Sequence, residues 1–319
     1  MSLNQNQNLN QLNILMNNDW QRHVQSISTS IPDYGFKVKI PQAYADQLLS
    51  SDDLDPINLQ FLPSKLESSQ TGLIDPLDET GKDTPKGLLH KYPGRVLLTL
   101  TQACAIHCRY CFRRHFPYQQ ENPFKNLDDI IDYINKDSSI HEVIFSGGDP
   151  LMLSNQKLCT VFNKLSMIAH IKTIRFHTRM PMIVPSRIDA DFLNFTHQYP
   201  QWQWVIALHI NHPKEWFEEC QKAMTKLKAA RFTLLNQSVL LKNINDNLDT
   251  LIHLSQSLWS NGIIPYYLHQ LDPVKQAMHF KVHDHKAKSL YMQLQAALPG
   301  YLVPKLAKEV PGMLHKTRL

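Results

Sequence analysis

Three cysteines, Cys104, Cys108 and Cys111 at spacing C-x3-C-x2-C, constrain this 319-residue chain more than any other feature. They stand in Thr101-Gln-Ala-Cys104-Ala-Ile-His-Cys108-Arg-Tyr-Cys111-Phe-Arg-Arg114, directly after an apolar, β-rich run, which places them on a loop. In the reducing cytosol expected for this chain, clustered thiols point to metal rather than to disulfides. Soft thiolates select iron–sulfur clusters, zinc or copper. A structural zinc site is closed by four protein ligands, whereas a four-iron cluster on three cysteines leaves one iron open to a substrate. The competing reading is a zinc loop completed by His107 or His115. Cys159 and Cys220 stand alone in helical-looking segments and read as small buried hydrophobes.

Around this loop the pattern alternates. β-rich runs at Arg95–Thr101, Glu142–Phe145, Thr173–His177, Trp204–His209, Thr233–Leu240 and Ile264–His269 are separated by helical patterns at Leu127–Asn135, Gln156–Ile168, Asp189–Gln198, Lys214–Ala230 and Asn247–Ser260. A βα repeat of this kind implies a parallel sheet with helices outside. Six units suit an incomplete (β/α)6 barrel, with the reacting groups at the C-terminal strand ends. Residues 1–90, with short helical patterns at Trp20–Ser28 and Pro41–Leu49, form an expected N-terminal helical region. The barrel is expected over 91–280 and a short C-terminal extension over 281–319.

A second motif follows the second strand: Ser146-Gly147-Gly148-Asp149-Pro150. Glycines there let a backbone approach a ligand closely, although such a string alone is also a common turn. The N-terminus, rich in Asn and Gln with no basic region, does not read as a secretory signal, and no segment approaches the ~20 apolar residues that span a bilayer. The expected location is cytoplasmic. A net charge of +5 with scattered Lys and Arg points to a pocket for anionic cofactors rather than to nucleic acid.

The cysteine spacing, with Tyr110 just before the last cysteine, resembles the signature of the radical S-adenosylmethionine superfamily. That resemblance implies a [4Fe-4S] cluster on Cys104, Cys108 and Cys111 that cleaves S-adenosylmethionine to a 5′-deoxyadenosyl radical. It implies Tyr110 against adenine and Ser146, Gly147, Gly148 and Asp149 near the methionine ammonium.

From Lys91 to Lys316 the chain is similar to lysine 2,3-aminomutases. Lys91-Tyr92-Pro93-Gly94-Arg95 resembles the segment that holds the phosphate of pyridoxal phosphate. Arg113 falls where the family binds the substrate carboxylate, which suits a guanidinium fork. Asn211-His212-Pro213 and Asn236-Gln237-Ser238 are close to family segments, with Gln237 against S-adenosylmethionine. Asp272, in Tyr267-Leu-His-Gln-Leu-Asp272-Pro, matches the aspartate that pairs with the distal ammonium of lysine, because a buried ammonium requires a charge partner. Lys316, after Glu309-Val-Pro311-Gly312, matches the Schiff-base lysine, with Lys305 as its rival.

Two features depart from the family. Only Gly312 remains of its glycine run, and Asn247 stands where longer members have a zinc-ligand cysteine, so no zinc is expected. The implied activity is conversion of L-lysine to β-lysine with a reductant such as a flavodoxin or ferredoxin. The short form resembles the aminomutase of elongation factor P β-lysylation, which implies a functional link to the ligase of that pathway. Alternatives are a radical enzyme acting on another amino acid or without pyridoxal phosphate, and a non-catalytic iron–sulfur or zinc module.

Overall fold

A computed structural model describes residues 34–41, 44–46, 54–118 and 123–319. The candidate helix Trp20–Ser28 lies outside these residues, and Pro41–Leu49 is described only in part, with 44–46 helical. Before the sheet comes α1 (Pro56–Phe61), capped by Asp55, whose carboxylate accepts from the amide of Ile57.

Nine strands form one sheet in sequence order: β1 (Leu88–Tyr92), β2 (Arg95–Thr101), β3 (Glu142–Gly147), β4 (Thr173–Thr178), β5 (Gln203–Leu208), β6 (Thr233–Leu240), β7 (Ile264–Gln270), β8 (Lys305–Lys308) and β9 (Thr317–Arg318). From β2 to β8 every neighbour pair is parallel, while β1 and β9 add antiparallel edges. The crossovers are α2 (Leu127–Lys136), α3 (Asn155–Leu165), α4 (Glu218–Ala229), α5 (Leu248–Ser260) and α6 (Asp284–Ala297). This is the incomplete barrel expected from the alternation, with β2 to β7 as its six expected strands.

Helix ends follow their capping residues. Ser154 accepts from the amide of Lys157 to start α3, and Asn247 accepts from Thr250 to start α5. Asp128 and Asp129 in the first turn of α2 and Lys136 in its last complement the helix dipole. Alternate strand residues, such as Ile174 and Phe176 of β4, turn outward into a core where Phe145 stacks on Phe162 and Phe176 on Trp204, and the two stacks meet edge to face. Each such ring contributes roughly 2–3 kcal/mol by leaving water. The intervening positions, Arg175 and His177 among them, line the barrel interior and leave it polar.

Three elements differ from expectation. The pattern at Asp189–Gln198 is two single turns, Ala190–Leu193 and Phe195–Gln198, broken at Asn194, because Phe192 and Phe195 both turn into the aromatic core. Lys214–Ala230 is a 3-10 turn, Pro213–Glu215, and then α4, because Glu215 folds back to accept from the amides of Asn211 and His212. The C-terminal extension carries α6, β8 and β9. Lys-Leu-Ala-Lys is too short to show a strand period, and it becomes β8 because the edge of β7 presents unpaired backbone groups.

No hydrogen-bonded ladder joins β1 to β9, so the barrel is open along that seam. The seam is bridged by charge. Lys91 of β1 reaches Glu309, just beyond β8, with Nζ to Oε1 at 3.1 Å.

Candidate active site

The cysteine loop leaves the C-terminal end of β2. Two arginines within it, Arg109 and Arg114, converge on the fully buried Glu67, with Arg109 Nε at 2.8 Å and Arg114 Nη2 at 2.9 Å. The loop is also held by Arg109 Nη1, which donates to the carbonyl of Phe36, and by the amide of His107, which donates to Lys39. The three thiols are half-buried. Burial, and then the charge of Cys111, pushes the Cys104 thiol well up, and burial followed by the charge of Cys108 pushes Cys111 to about 11. Cys104 and Cys111 ionise together only if a strongly cationic centre holds them. Among the described residues no three His, Cys, Asp or Glu side chains gather tightly enough for a single metal ion. The fit to an iron–sulfur centre rests on the donor chemistry, three thiols on one loop with no oxygen or nitrogen donor among them. His107 is engaged elsewhere, its Nδ1 bonded to the carbonyl of Lys37 at 2.7 Å.

Ser146-Gly-Gly-Asp149 closes over the start of this loop. Gly147 has φ +115°, and a Cβ there would lie 2.6 Å from the carbonyl oxygen of Thr101. The amides of Gly148 and Asp149 donate to the carbonyls of Thr101 and Ala103 at 2.6 and 2.8 Å. The glycines thus admit the cysteine loop itself. The Asp149 carboxylate is consumed by Thr178 Oγ1 and by the amides of Leu151, Arg179 and Met180. Tyr110 is buried and stacked on His209 with ring centroids 5.7 Å apart. Its hydroxyl lies among Gln60, Asn211 and Arg179.

A chain of alternating charges crosses the interior. Arg113 grips Glu79 with Nε at 2.7 Å and Nη2 at 3.0 Å, and its Nη1 donates to Ser146 Oγ at 3.1 Å. Glu79 also pairs with Lys91, Lys91 with Glu309, and Glu309 with Lys316 at 2.5 Å. Burial alone would raise Glu309, but the charges of Lys316 and Lys91 outweigh it and hold the carboxyl at about 2. Tyr92 is pushed up by burial and then by the Glu309 carboxylate beside it. Lys316 Nζ sits 5.9 Å from the Tyr267 ring centroid. Lys305 is exposed, over Tyr266 at 5.3 Å.

Asp272, just beyond β7, has no cation within ion-pair distance among the described residues, and burial, then the Glu309 charge, raises its carboxyl to about 7. Gln237 is half-buried on β6 beside Tyr267 in register.

Sequence inspection assigned no individual role to Arg95, read only within its segment, nor to Glu79, Arg175, His177 and His269. Arg95 lies over the Tyr92 ring at 4.6 Å. Arg175 bonds Glu142 at 3.0 Å but its buried Nε has no partner. His269 is pushed down to about 3 by burial and then by Lys316, so it is neutral near pH 7. The signal for the strand residues was the alternation along β2, β4 and β7, which puts Arg95, Arg175, His177 and His269 at inward positions. A lysine amine held by a single carboxylate, an aromatic face and cationic groups with an unsatisfied donor fit pyridoxal phosphate.

A partial parallel barrel with a three-thiol loop at the end of its first parallel strand defines a radical S-adenosylmethionine enzyme, and residues 98–254 match the Radical SAM superfamily. L-lysine 2,3-aminomutase of Haemophilus influenzae is 44% identical over 88% of this chain and 84% of its own length. The enzymes of the same name from Buchnera aphidicola and Escherichia coli are 43% and 42% identical, over 88% and 89% of this chain and 83% of their own lengths. The chain belongs to the lysine 2,3-aminomutase family, and is an isomerase of the radical class whose cofactors are a [4Fe-4S] cluster, S-adenosylmethionine and pyridoxal phosphate. No helix among the described residues is long and apolar enough to cross a membrane.

Proposed function

We propose that the protein converts L-lysine to β-lysine, with Cys104, Cys108 and Cys111 holding the cluster and Lys316 holding pyridoxal phosphate. Bound, the cluster and S-adenosylmethionine supply hydrogen-abstracting radical chemistry, and pyridoxal phosphate supplies the conjugated system across which nitrogen migrates. The protein's own groups bind, orient and exclude water.

The observation that carries the substrate assignment is Asp272. A carboxylate raised to about 7 with no cation opposite it is a place for the distal ammonium of lysine. Glu309, already close enough to raise Asp272, provides a second negative charge when Lys316 is withdrawn from it. Arg113 has its Nε and Nη2 on Glu79, so the substrate carboxylate would be received at Nη1, where Ser146 now bonds. Lys91 and Tyr92, with Arg95, would face the cofactor phosphate. Tyr110, Ser146, Gly147, Gly148, Asp149 and Gln237 would shape the S-adenosylmethionine pocket. Asp149 and the glycines would do so through the backbone they position.

In this proposal the N-terminal region to residue 90 braces the cysteine loop through Glu67, the barrel spans 91–280, and residues 281–319 deliver the lysine. A flavodoxin or ferredoxin supplies the electron. The β-lysine would serve elongation factor P modification through its ligase, a reading that rests on the resemblance to the short form of the enzyme.

Anaerobic incubation of reconstituted protein with lysine, glutamate and arginine, with products separated, tests the assignment. β-Lysine from lysine alone is expected. Turnover of glutamate or arginine in preference to lysine would refute it.

A further inference from the structure

We infer that Arg179, at the end of β4, sets the reduction potential of the iron–sulfur centre through a hydrogen bond to Cys108. The inference rests on the proposal that Cys108 is a cluster ligand. Arg179 follows Thr178, and its amide donates to Asp149 Oδ2 at 2.8 Å, which ties its backbone to the glycine motif. Its side chain runs beneath the cysteine loop over the Phe61 ring, 4.7 Å from the centroid, and is buried. There Nη1 donates to Cys108 Sγ at 3.2 Å and to the Tyr110 hydroxyl. Nη2 donates to Gln60 Oε1 at 2.8 Å and to Glu215 Oε2 at 2.6 Å.

The construction is specific to a sulfur acceptor. Glu215 is fully buried and its other oxygen accepts from the amides of Asn211 and His212, so it cannot turn away. Gln60 and Tyr110 also accept from the guanidinium and are themselves tied together by Asn211, whose Nδ2 donates to both, while Nε of Arg179 has no partner among the described residues. The fork is therefore locked in one pose with a single donor aimed at one thiol of three. A guanidinium suits the site because its two terminal nitrogens reach the sulfur and the carboxylate separately, whereas a lysine has one nitrogen for both.

Hydrogen bonds to cluster sulfurs are among the levers that set iron–sulfur potentials. The bond strengthens when an added electron makes the ligand sulfur more negative, so it favours the reduced cluster and raises the potential. The Glu215 charge offsets the long-range effect of the arginine, which leaves the directional bond as the main contribution.

The test is a redox titration of anaerobically reconstituted protein, followed by the electron paramagnetic resonance signal of the reduced cluster. Wild type is compared with Arg179→Lys, which keeps a charge for Glu215, and with Arg179→Met/Glu215→Gln, which leaves no buried charge unpaired. Four irons per chain are expected in both. The ratio of reduced to oxidised cluster at a given applied potential should fall about tenfold in the double variant, ~59 mV for one electron, and by a smaller factor in Arg179→Lys. An unchanged potential in cluster-loaded variants would overturn the inference. So would loss of iron from both variants, which would make Arg179 a support of the loop. Failure of the wild type itself to bind iron would instead reject the cluster assignment.

Discussion

The Lys316 ammonium lies 2.5 Å from Oε2 of Glu309, while the other oxygen of that carboxylate accepts from Lys91 at 3.1 Å. One carboxylate therefore spans the open seam of the barrel, tying the C-terminal segment to the first strand where the ladder is missing. The lysine proposed to carry the cofactor is positioned by this pair before any cofactor arrives.

Glu309→Gln should weaken the fold in a pH-dependent way. Because its folded value is depressed to about 2, the stability Glu309 contributes is full above the unfolded carboxylate range near 4.3 and is lost as pH falls through about 2. Partial exposure screens the bridge, so the contribution is roughly 1–3 kcal/mol. Urea unfolding of wild type and variant should differ by that amount at pH 6 and converge towards pH 2. Equal stability at pH 6 would show that the seam is held by other contacts.

Asp272→Asn should separate stability from function. A carboxyl raised to about 7 costs folding stability as pH rises from the usual carboxylate range through 7. Removing its charge should therefore stabilise the unliganded protein at pH 8 by roughly 1–2 kcal/mol, less than full burial implies because the group is only half-buried. A substrate ammonium reverses the effect, so kcat/KM for lysine in wild type should climb as pH rises through about 7. That limb, and at least about 100-fold of activity, should vanish in the variant, as expected when one partner of a buried pair is lost. A retained limb would place the titration elsewhere.

Single replacement of Cys104, Cys108 or Cys111 with Ala should remove the iron and the visible absorption of the cluster, because two thiolates are a poor hold for it. Cys159→Ala and Cys220→Ala should keep both. Cys220 is fully buried, with its thiol donating to the carbonyl of Met182, so its loss should cost roughly 1–2 kcal/mol. Iron analysis and thermal melting distinguish the two classes, and iron retained in any of the first three would reject the cluster loop.

Lys316→Ala should keep iron but lose covalently held pyridoxal phosphate, whereas Lys305→Ala should keep both. Lys305 is exposed over Tyr266, away from the Glu309 bridge. Borohydride reduction and peptide mapping of wild type should find the pyridoxyl group on Lys316. A label on Lys305 would transfer the role.

What the sequence by itself determined is what depends on near neighbours. The spacing of Cys104, Cys108 and Cys111 keeps three thiols on one short segment in any fold, and the strand and helix periods of β2 to β7 dictate a parallel sheet with helices outside. Asp272 and Lys316, one just past β7 and one in the tail, were singled out only by the resemblance to lysine 2,3-aminomutases. Only the tertiary structure decided the partners. Arg113 meets Glu79 across 34 positions, Arg179 meets Cys108 across 71, and Lys91 meets Glu309 across 218. No local signal marks such pairs, because a charge buried in a barrel is stable only beside an opposite charge that chain closure brings to it. β8 has the same origin. Four residues with no strand period became a strand because β7 offered an unsatisfied edge, and the seam that this left open is what Glu309 came to bridge.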